Sequence, residues 1–181
     1  MIKFLSLIIL VCILPIISII AIFIILDDGF PVLFKQKRIG IDNSIFLIYK
    51  FRTMKKGTPD IPTHLVEKSQ NIFTWCGPFL RKYSLDELPQ LLNVLKGDMV
   101  FIGPRPSLHN QDDLISLRKS KGVQKLKPGI TGWAQVNGRD RLTISEKVEM
   151  DLYYKNHKSV LLDLKIIWMS IIKVFKSEDV V

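Results

Sequence analysis

The sequence predicts an α+β chain that is mainly helical, with an apolar N-terminal helix broken at a proline, a small β-hairpin, and a helical domain that closes on an amphipathic helix. Three observations lead there. No charged residue occurs between positions 4 and 26, two extended runs flank a turn-rich stretch around Gly40, and leucines recur at helical spacing after Ser84. A chain of 181 residues has room for one modest core. The simplest partition is a membrane element at residues 1–26 and one globular domain at residues 27–181.

As one straight helix, the 23 residues from 4 to 26 would reach about 35 Å, enough to cross a bilayer core of roughly 30 Å. A cleaved signal peptide fits poorly, because no small-residue cleavage site follows and Lys3 alone makes a thin basic leader. Pro15 stands near the middle. It lacks the N–H that a helix needs and crowds the preceding turn, so the helix must kink or break there. Ser18 is placed to satisfy a freed carbonyl. Two topologies remain open from these residues alone: a kinked span that tethers the domain, or a helix that bends near Leu14-Pro15 and returns to the same face. Lys35, Lys37 and Arg38 follow closely and put the domain on the cytoplasmic side.

The turn Asp27-Asp28-Gly29 ends the apolar segment. Residues 31–38 and 45–52 read as the two strands of a hairpin with a longer loop between them. Residues 55–71 hold two prolines, a glycine and many polar groups, which predicts a loop. A helix is expected to start at Ser84, to carry Leu85, Leu88, Leu91, Leu92 and Leu95, and to end at Gly97. Residues 99–102 are short and apolar, and Gly103-Pro104-Arg105-Pro106 forces an irregular turn. Further helices are expected over 109–119, 146–154 and 160–175, with a glycine-shaped loop over 128–140. The last helix mixes Trp168, Met169 and Phe175 with Lys165, Lys173 and Lys176. It suits a membrane interface, apolar side down with lysines at headgroup level, and equally a core position in a small domain.

The formal net charge is +9, and of 26 lysines and arginines only Lys3 precedes the apolar run. Such a balance calls for anionic partners: phospholipid headgroups, nucleotide phosphates or nucleic acid. The two cysteines, Cys12 and Cys76, form no spaced pair, and His64, His109 and His157 are isolated. A disulfide framework and a zinc or histidine metal site are thereby excluded as organising features.

Four constellations carry chemistry. The first is Arg81-Lys82-Tyr83-Ser84-Leu85-Asp86-Glu87. Ser84 with Glu87 three residues on reads plainly as a capping box, and acids in a first turn suit the helix dipole. A helix N-terminus is also an anion site, and Arg81 with Lys82 stands just before it. Adjacent carboxylates then have a use: one attacks phosphorus while the other holds a hard divalent cation such as Mg²⁺. The second is Gly103-Pro104-Arg105-Pro106, where flanking prolines aim a guanidinium whose fork matches phosphate, unless this is only a surface turn. The third is the loop ending in Arg139, whose glycines permit close backbone approach to a ligand. The fourth is Lys50 and Arg52, two cations on one face of a strand, either phosphate contacts or a solvated face.

These stretches closely resemble the bacterial sugar transferases, the small monotopic phosphoglycosyl transferases. The likeness runs through residues 29–40, 49–54, 84–90, 95–99, 103–106 and 128–139, then Asp151, Tyr154 and residues 162–166, in the family's order over nearly the whole chain. The resemblance implies that Asp86 attacks the β-phosphate of a UDP-sugar and UMP leaves. Undecaprenyl phosphate then takes the phosphosugar. It further implies that Glu87 holds Mg²⁺, and that Arg81, Arg105 and Arg139 bind phosphates. The membrane helix is expected to be re-entrant, in membrane lipid at the cytoplasmic face of the inner membrane. Product would feed cell-surface glycan assembly, with downstream glycosyltransferases as partners and no nucleic acid. Residues 132–139 nearly match members that act on N-acetylated sugars, so such a donor is expected.

Three departures stand out. Leu14-Pro15 replaces the family's Ser-Pro, and Pro78 stands where an arginine is expected. The family's basic leader is not found in the 14 residues before Pro15, as expected of a shortened N-terminus or a different anchoring. Two rivals from other classes are a membrane-tethered nucleic-acid binder, permitted by the charge, and a non-catalytic scaffold for other glycan enzymes. The first lacks a reading helix or stacking motif and gives Asp86 and Glu87 no role.

Overall fold

A computed structural model describes residues 2–58, 72–138 and 141–176. The expected loop over 55–71 lies largely outside the described residues. The described chain is mainly helical, with two small sheets.

Two helices open it, α1 (Ile2–Cys12) and α2 (Leu14–Asp28), bent by 60° at the break between them. Pro15 sits in the first turn of α2, a position proline favours. The break falls where the sequence places it. Ser18 donates to Leu14 O at 2.9 Å, one turn back, rather than to the Val11 carbonyl that the proline leaves without its usual donor. No single helix among the described residues is long and apolar enough to cross a membrane, whereas the bent pair passes by length and composition.

Both ends of this pair are fastened to the same domain. At the start of α1, Lys3 donates to Lys96 O and the buried Ser6 hydroxyl donates to Leu91 O at 3.0 Å. At the end of α2, Asp27 accepts from Trp75 N at 2.6 Å and Asp28 pairs with Arg52 at 3.2 Å. Ile20 and Ile24 of α2 also join a buried cluster with Phe51, Cys76 and Leu80, so apolar packing continues across residue 26.

The expected hairpin is present: β1 (Leu33–Ile39) pairs antiparallel with β2 (Ile45–Phe51), from Leu33 opposite Phe51 to Ile39 opposite Ile45. The loop turns through left-handed Asp42 and Asn43, residue types that tolerate that region. A helix that the sequence did not announce, α3 (Gly77–Lys82), follows; Pro78 lies in its first turn, a position proline favours.

The expected helix from Ser84 does not form as one piece. Ser84 is left-handed at φ 53°, makes no side-chain cap, and leads into a 3₁₀ turn over Leu85–Gln90 before α4 (Leu91–Lys96). Pro89 explains the turn, because it has no N–H to return to the Leu85 carbonyl. A capping box does exist elsewhere, Thr143 with Glu146 at the start of α7 (Ile144–His157). Gly97 ends α4 in the left-handed region, as expected.

Asn93 of α4 is fully buried and bonds the free edge of β2: its Nδ2 donates to Leu47 O at 2.7 Å, and its Oδ1 accepts from Tyr49 N at 3.0 Å. One amide thus satisfies a carbonyl and an N–H on that edge and ties β2 to the helical segment that follows Asp86 and Glu87.

The stretch 128–140 is more regular than a loop. Strand β3 (Val100–Ile102) pairs in parallel with β4 (Gly129–Thr131), and α6 (Trp133–Val136) follows. A Cβ at Gly129 or Gly132 would collide with the backbone of Gly103. These glycines therefore allow one backbone to pack on another, fixing the turn that carries Arg105. Helices α5 (Asp112–Ser120) and α8 (Val160–Lys176) match the expected elements within a few residues. On α8, Ile166 is buried against Val136 and Tyr154, while Leu161, Trp168 and Phe175 are exposed. One face serves the core and the other is left apolar in the open.

Candidate active site

The 3₁₀ turn presents Asp86 and Glu87 side by side, each with 8% of its surface exposed. Buried carboxylates require cations or donors close by. Lys50 reaches in from β2, with Nζ 2.7 Å from Glu87 Oε1 and 3.6 Å from Asp86 Oδ2. Arg105, from the turn after β3, places Nη2 3.0 Å from the same Glu87 oxygen. Glu87 is turned towards these cations, and Ser84 makes no side-chain cap, so the expected Ser84–Glu87 box is absent.

Arg81 lies over the Phe73 ring at 5.4 Å and is near enough to act on Asp86. Lys50, Arg81 and Arg105 are therefore brought together around the carboxylates. Arg52 is not. Its guanidinium turns to the end of α2, donating to Asp28 O at 3.0 Å and Gly29 O at 2.6 Å and pairing with the Asp28 carboxylate. Arg139 lies outside the described residues.

One positioning residue was invisible in the sequence. Arg118 of α5 donates to Arg105 O at 2.8 Å and pairs with the buried Asp151 of α7 at 2.6 Å. Its carboxylate partner is 33 residues away, so no local spacing announces it. Burial holds the Asp151 carboxyl above its ordinary value, and Arg118 offsets only part of that rise. Tyr154 donates to Asp163 at 2.8 Å, tying α7 to α8.

A cleft of about 340 Å³ opens beside Glu87 and Arg105. Ile9 of α1, Leu91 of α4, Val136 of α6 and Val174 of α8 supply apolar wall, and Lys82, Arg105 and Lys173 supply positive charge. Adjacent carboxylates are hard oxygen donors of the kind Mg²⁺ takes, usually one or two at a time with phosphate oxygens completing its shell. Among the described residues no group of three or more His, Cys, Asp or Glu could hold a metal. The donor set fits an ion shared between Glu87, its neighbour and a phosphorylated substrate.

Cations gathered on paired carboxylates, beside an apolar-walled cleft, make a site suited to phosphoryl groups. The pattern described as bacterial sugar transferase matches residues 2–177, and the chain belongs to that family. It is 43% identical over 155 residues to the uncharacterized sugar transferase EpsL of Bacillus subtilis, covering 86% of this chain and 75% of that one. It is 40% identical over 178 residues to the UDP-glucose:undecaprenyl-phosphate glucose-1-phosphate transferase of Escherichia coli, covering 94% of this chain and 38% of that one. With the UDP-N-acetylgalactosamine-undecaprenyl-phosphate N-acetylgalactosaminephosphotransferase of Aeromonas hydrophila it shares 37% identity over 156 residues, covering 83% and 37%. The chain thus spans well under half the length of the last two.

Burial pushes the Asp86 carboxyl up. Lys50 pulls it down, Glu87 adds to the rise, and Arg81 and Arg105 oppose it. The folded state accordingly binds this proton more tightly than the unfolded chain does. Ionised Asp86 then costs stability, a cost absent in acid and growing as pH rises through the carboxylate range to the raised value. Asp86→Asn should melt at or above the wild-type temperature at neutral pH, with the gap closing in acid. Thermal unfolding across pH checks this; a variant that melts clearly lower at neutral pH contradicts it.

Proposed function

We propose that this chain moves a sugar 1-phosphate from a UDP-sugar to undecaprenyl phosphate, releasing UMP, through a phosphosugar held on Asp86. The observation that carries the reading is the pair Asp86–Glu87, buried together between Lys50 and Arg105 beside a cleft walled by α1, α4, α6 and α8. An apolar cleft with a cationic mouth suits a lipid phosphate, and the relatives' names support the reaction.

In the first step an Asp86 oxygen attacks the β-phosphorus, the bond from that phosphorus to the bridging oxygen breaks, and UMP departs with the electron pair. In the second step an oxygen of undecaprenyl phosphate attacks the same phosphorus. The acyl phosphate bond breaks and Asp86 returns as carboxylate. Lys50, Arg81 and Arg105 hold negative charge on the phosphoryl oxygens, and Lys50 offsets part of the burial that disfavours ionised Asp86. Glu87 would hold Mg²⁺, which supplies further neutralisation of phosphate charge when bound. An N-acetylated sugar is the donor we favour, on the near match of residues 132–139; relatives named for glucose and for N-acetylgalactosamine have similar identities, 40% and 37%.

We also propose that α1 and α2 form a re-entrant element of residues 1–26, with the domain of residues 27–181 on the cytoplasmic face of the inner membrane. The fastening of both helix ends to one domain supports it, since a spanning helix would carry its ends to opposite faces. The exposed apolar face of α8 supports an interfacial position for that helix.

Purified protein in nanodiscs, given undecaprenyl phosphate, Mg²⁺ and a panel of UDP-sugars, should release UMP from one donor. EDTA should abolish release, and Glu87→Gln should lower it by at least about a hundredfold, the scale of losing one charge-stabilising group. No UMP from any donor with folded protein sinks the reading. For topology, a cysteine at position 2 in a Cys12→Ser, Cys76→Ala background should react with impermeant reagent only from the cytoplasmic side. Labelling from the periplasm overturns the re-entrant arrangement.

A further inference from the structure

A second pocket, about 120 Å³, lies behind Arg105 and has a different character from the apolar cleft. Arg38, Arg105, Arg118 and Lys147 line it, and among the described residues no carboxylate does. Arg105 and Gln135 line both cavities, so they form the wall between them. Because Arg105 also contacts Glu87 at 3.0 Å, the pocket begins one guanidinium away from the carboxylate pair.

Among the described residues, two polar atoms on its walls lack hydrogen-bond partners. Ser107 is 3% exposed, and among the described residues its Oγ has no hydrogen bond. The same holds for the buried Gln135 Oε1. Lys147 is half-buried and near enough to act on the Asp151 carboxylate, which is itself paired with Arg118. Buried polar atoms left unsatisfied cost stability, so a pocket that holds two is prepared for a polar ligand. The kind of atom narrows the ligand. Lysine and arginine want an anion, but the carbonyl oxygen of Gln135 can only accept, and a bare phosphate dianion offers it nothing. A ligand that carries both an anion and N–H or O–H donors meets both demands. An isoprenoid chain meets neither.

We propose that this basic pocket binds the nucleotide half of the donor, with Lys147 and Arg105 on its phosphate and Ser107 and Gln135 on the nucleoside. The inference rests on the UDP-sugar reading above and deepens it. The two cavities divide the substrates: polar nucleotide on one side of Arg105, apolar lipid on the other, and the transferred phosphorus at the carboxylates that Arg105 contacts. Arg118 keeps this wall in place through its bond to the Arg105 carbonyl.

The test is equilibrium binding of UMP, uridine and inorganic phosphate to nanodisc-held protein, with UDP-sugar turnover measured in parallel. Lys147→Met should weaken UMP about tenfold, the loss of one charge-assisted hydrogen bond, and should leave uridine unchanged. Lys147→Arg should restore most of the UMP affinity. Ser107→Ala and Gln135→Met should weaken UMP and uridine alike by several-fold, with melting temperatures confirming that each variant folds. Undecaprenyl phosphate binding should match wild type in Lys147→Met and Ser107→Ala, whose side chains do not line the apolar cleft. If wild type turns over a UDP-sugar but these variants bind UMP as wild type does, the pocket assignment falls and the reaction stands. If inorganic phosphate competes as well as UMP does, the nucleoside contacts fall. Failure of both turnover and UMP binding in the folded wild type overturns the reaction and the pocket together.

Discussion

The site depends on one oxygen atom. Glu87 Oε1 is gripped by Lys50 at 2.7 Å and Arg105 at 3.0 Å, two cations that arrive from distant parts of the chain. Without that grip the β-hairpin, the 3₁₀ turn and the Gly103–Pro106 turn would have no common point of charge compensation. Removing one partner of a fully buried pair costs about 3–5 kcal/mol. The cost here is smaller on the Arg105 side, which keeps a third of its side chain in contact with solvent. Phosphoryl transfer needs such an arrangement. The cations neutralise the carboxylates and, under the proposed reaction, would also face the phosphate oxygens.

Around that point the fold supplies stiffness by polar bolts rather than by a large core. Asn93 locks β2, and with it Lys50, to α4. Arg118 and Asp151 lock the Arg105 carbonyl to α5 and α7. The glycines at 129 and 132 bring two backbones close enough that the Arg105 turn cannot drift. Arg52 performs the same service for the N-terminal helices by holding the end of α2. The result is a candidate catalytic turn with an apolar helix pair fastened on one side and the half-exposed α8 on the other, so a lipid reaching the cleft would remain close to apolar surface.

Local features were legible in the sequence. Pro15 broke the helix because a missing N–H acts where it stands, the hairpin followed from two extended runs flanking the turn residues around Gly40, and Gly97 ended α4 by its left-handed backbone. Features that depend on distant partners were not. Ser84 and Glu87 had capping-box spacing, but Pro89 turned the segment to 3₁₀ and Lys50, 37 residues earlier, drew the carboxylate away. Lys50 and Arg52 shared a face by alternation, yet the strand ends at Phe51 and Arg52 turns to α2. Gly129 and Gly132 looked ready for a ligand and instead admit another backbone. Arg118 gave no signal, because its meaning lies in a carboxylate on another helix.

The central claim is that Asp86 carries the sugar phosphate between its two partners. Intact-protein mass spectrometry after mixing with the turned-over UDP-sugar and Mg²⁺, but no lipid, tests it most directly. The account predicts a mass increase equal to the phosphosugar, mapped to Asp86, missing in Asp86→Asn and discharged when undecaprenyl phosphate is added. UMP release only when both substrates are present, with no adduct at any time in rapidly quenched samples, would mean direct displacement and contradict it.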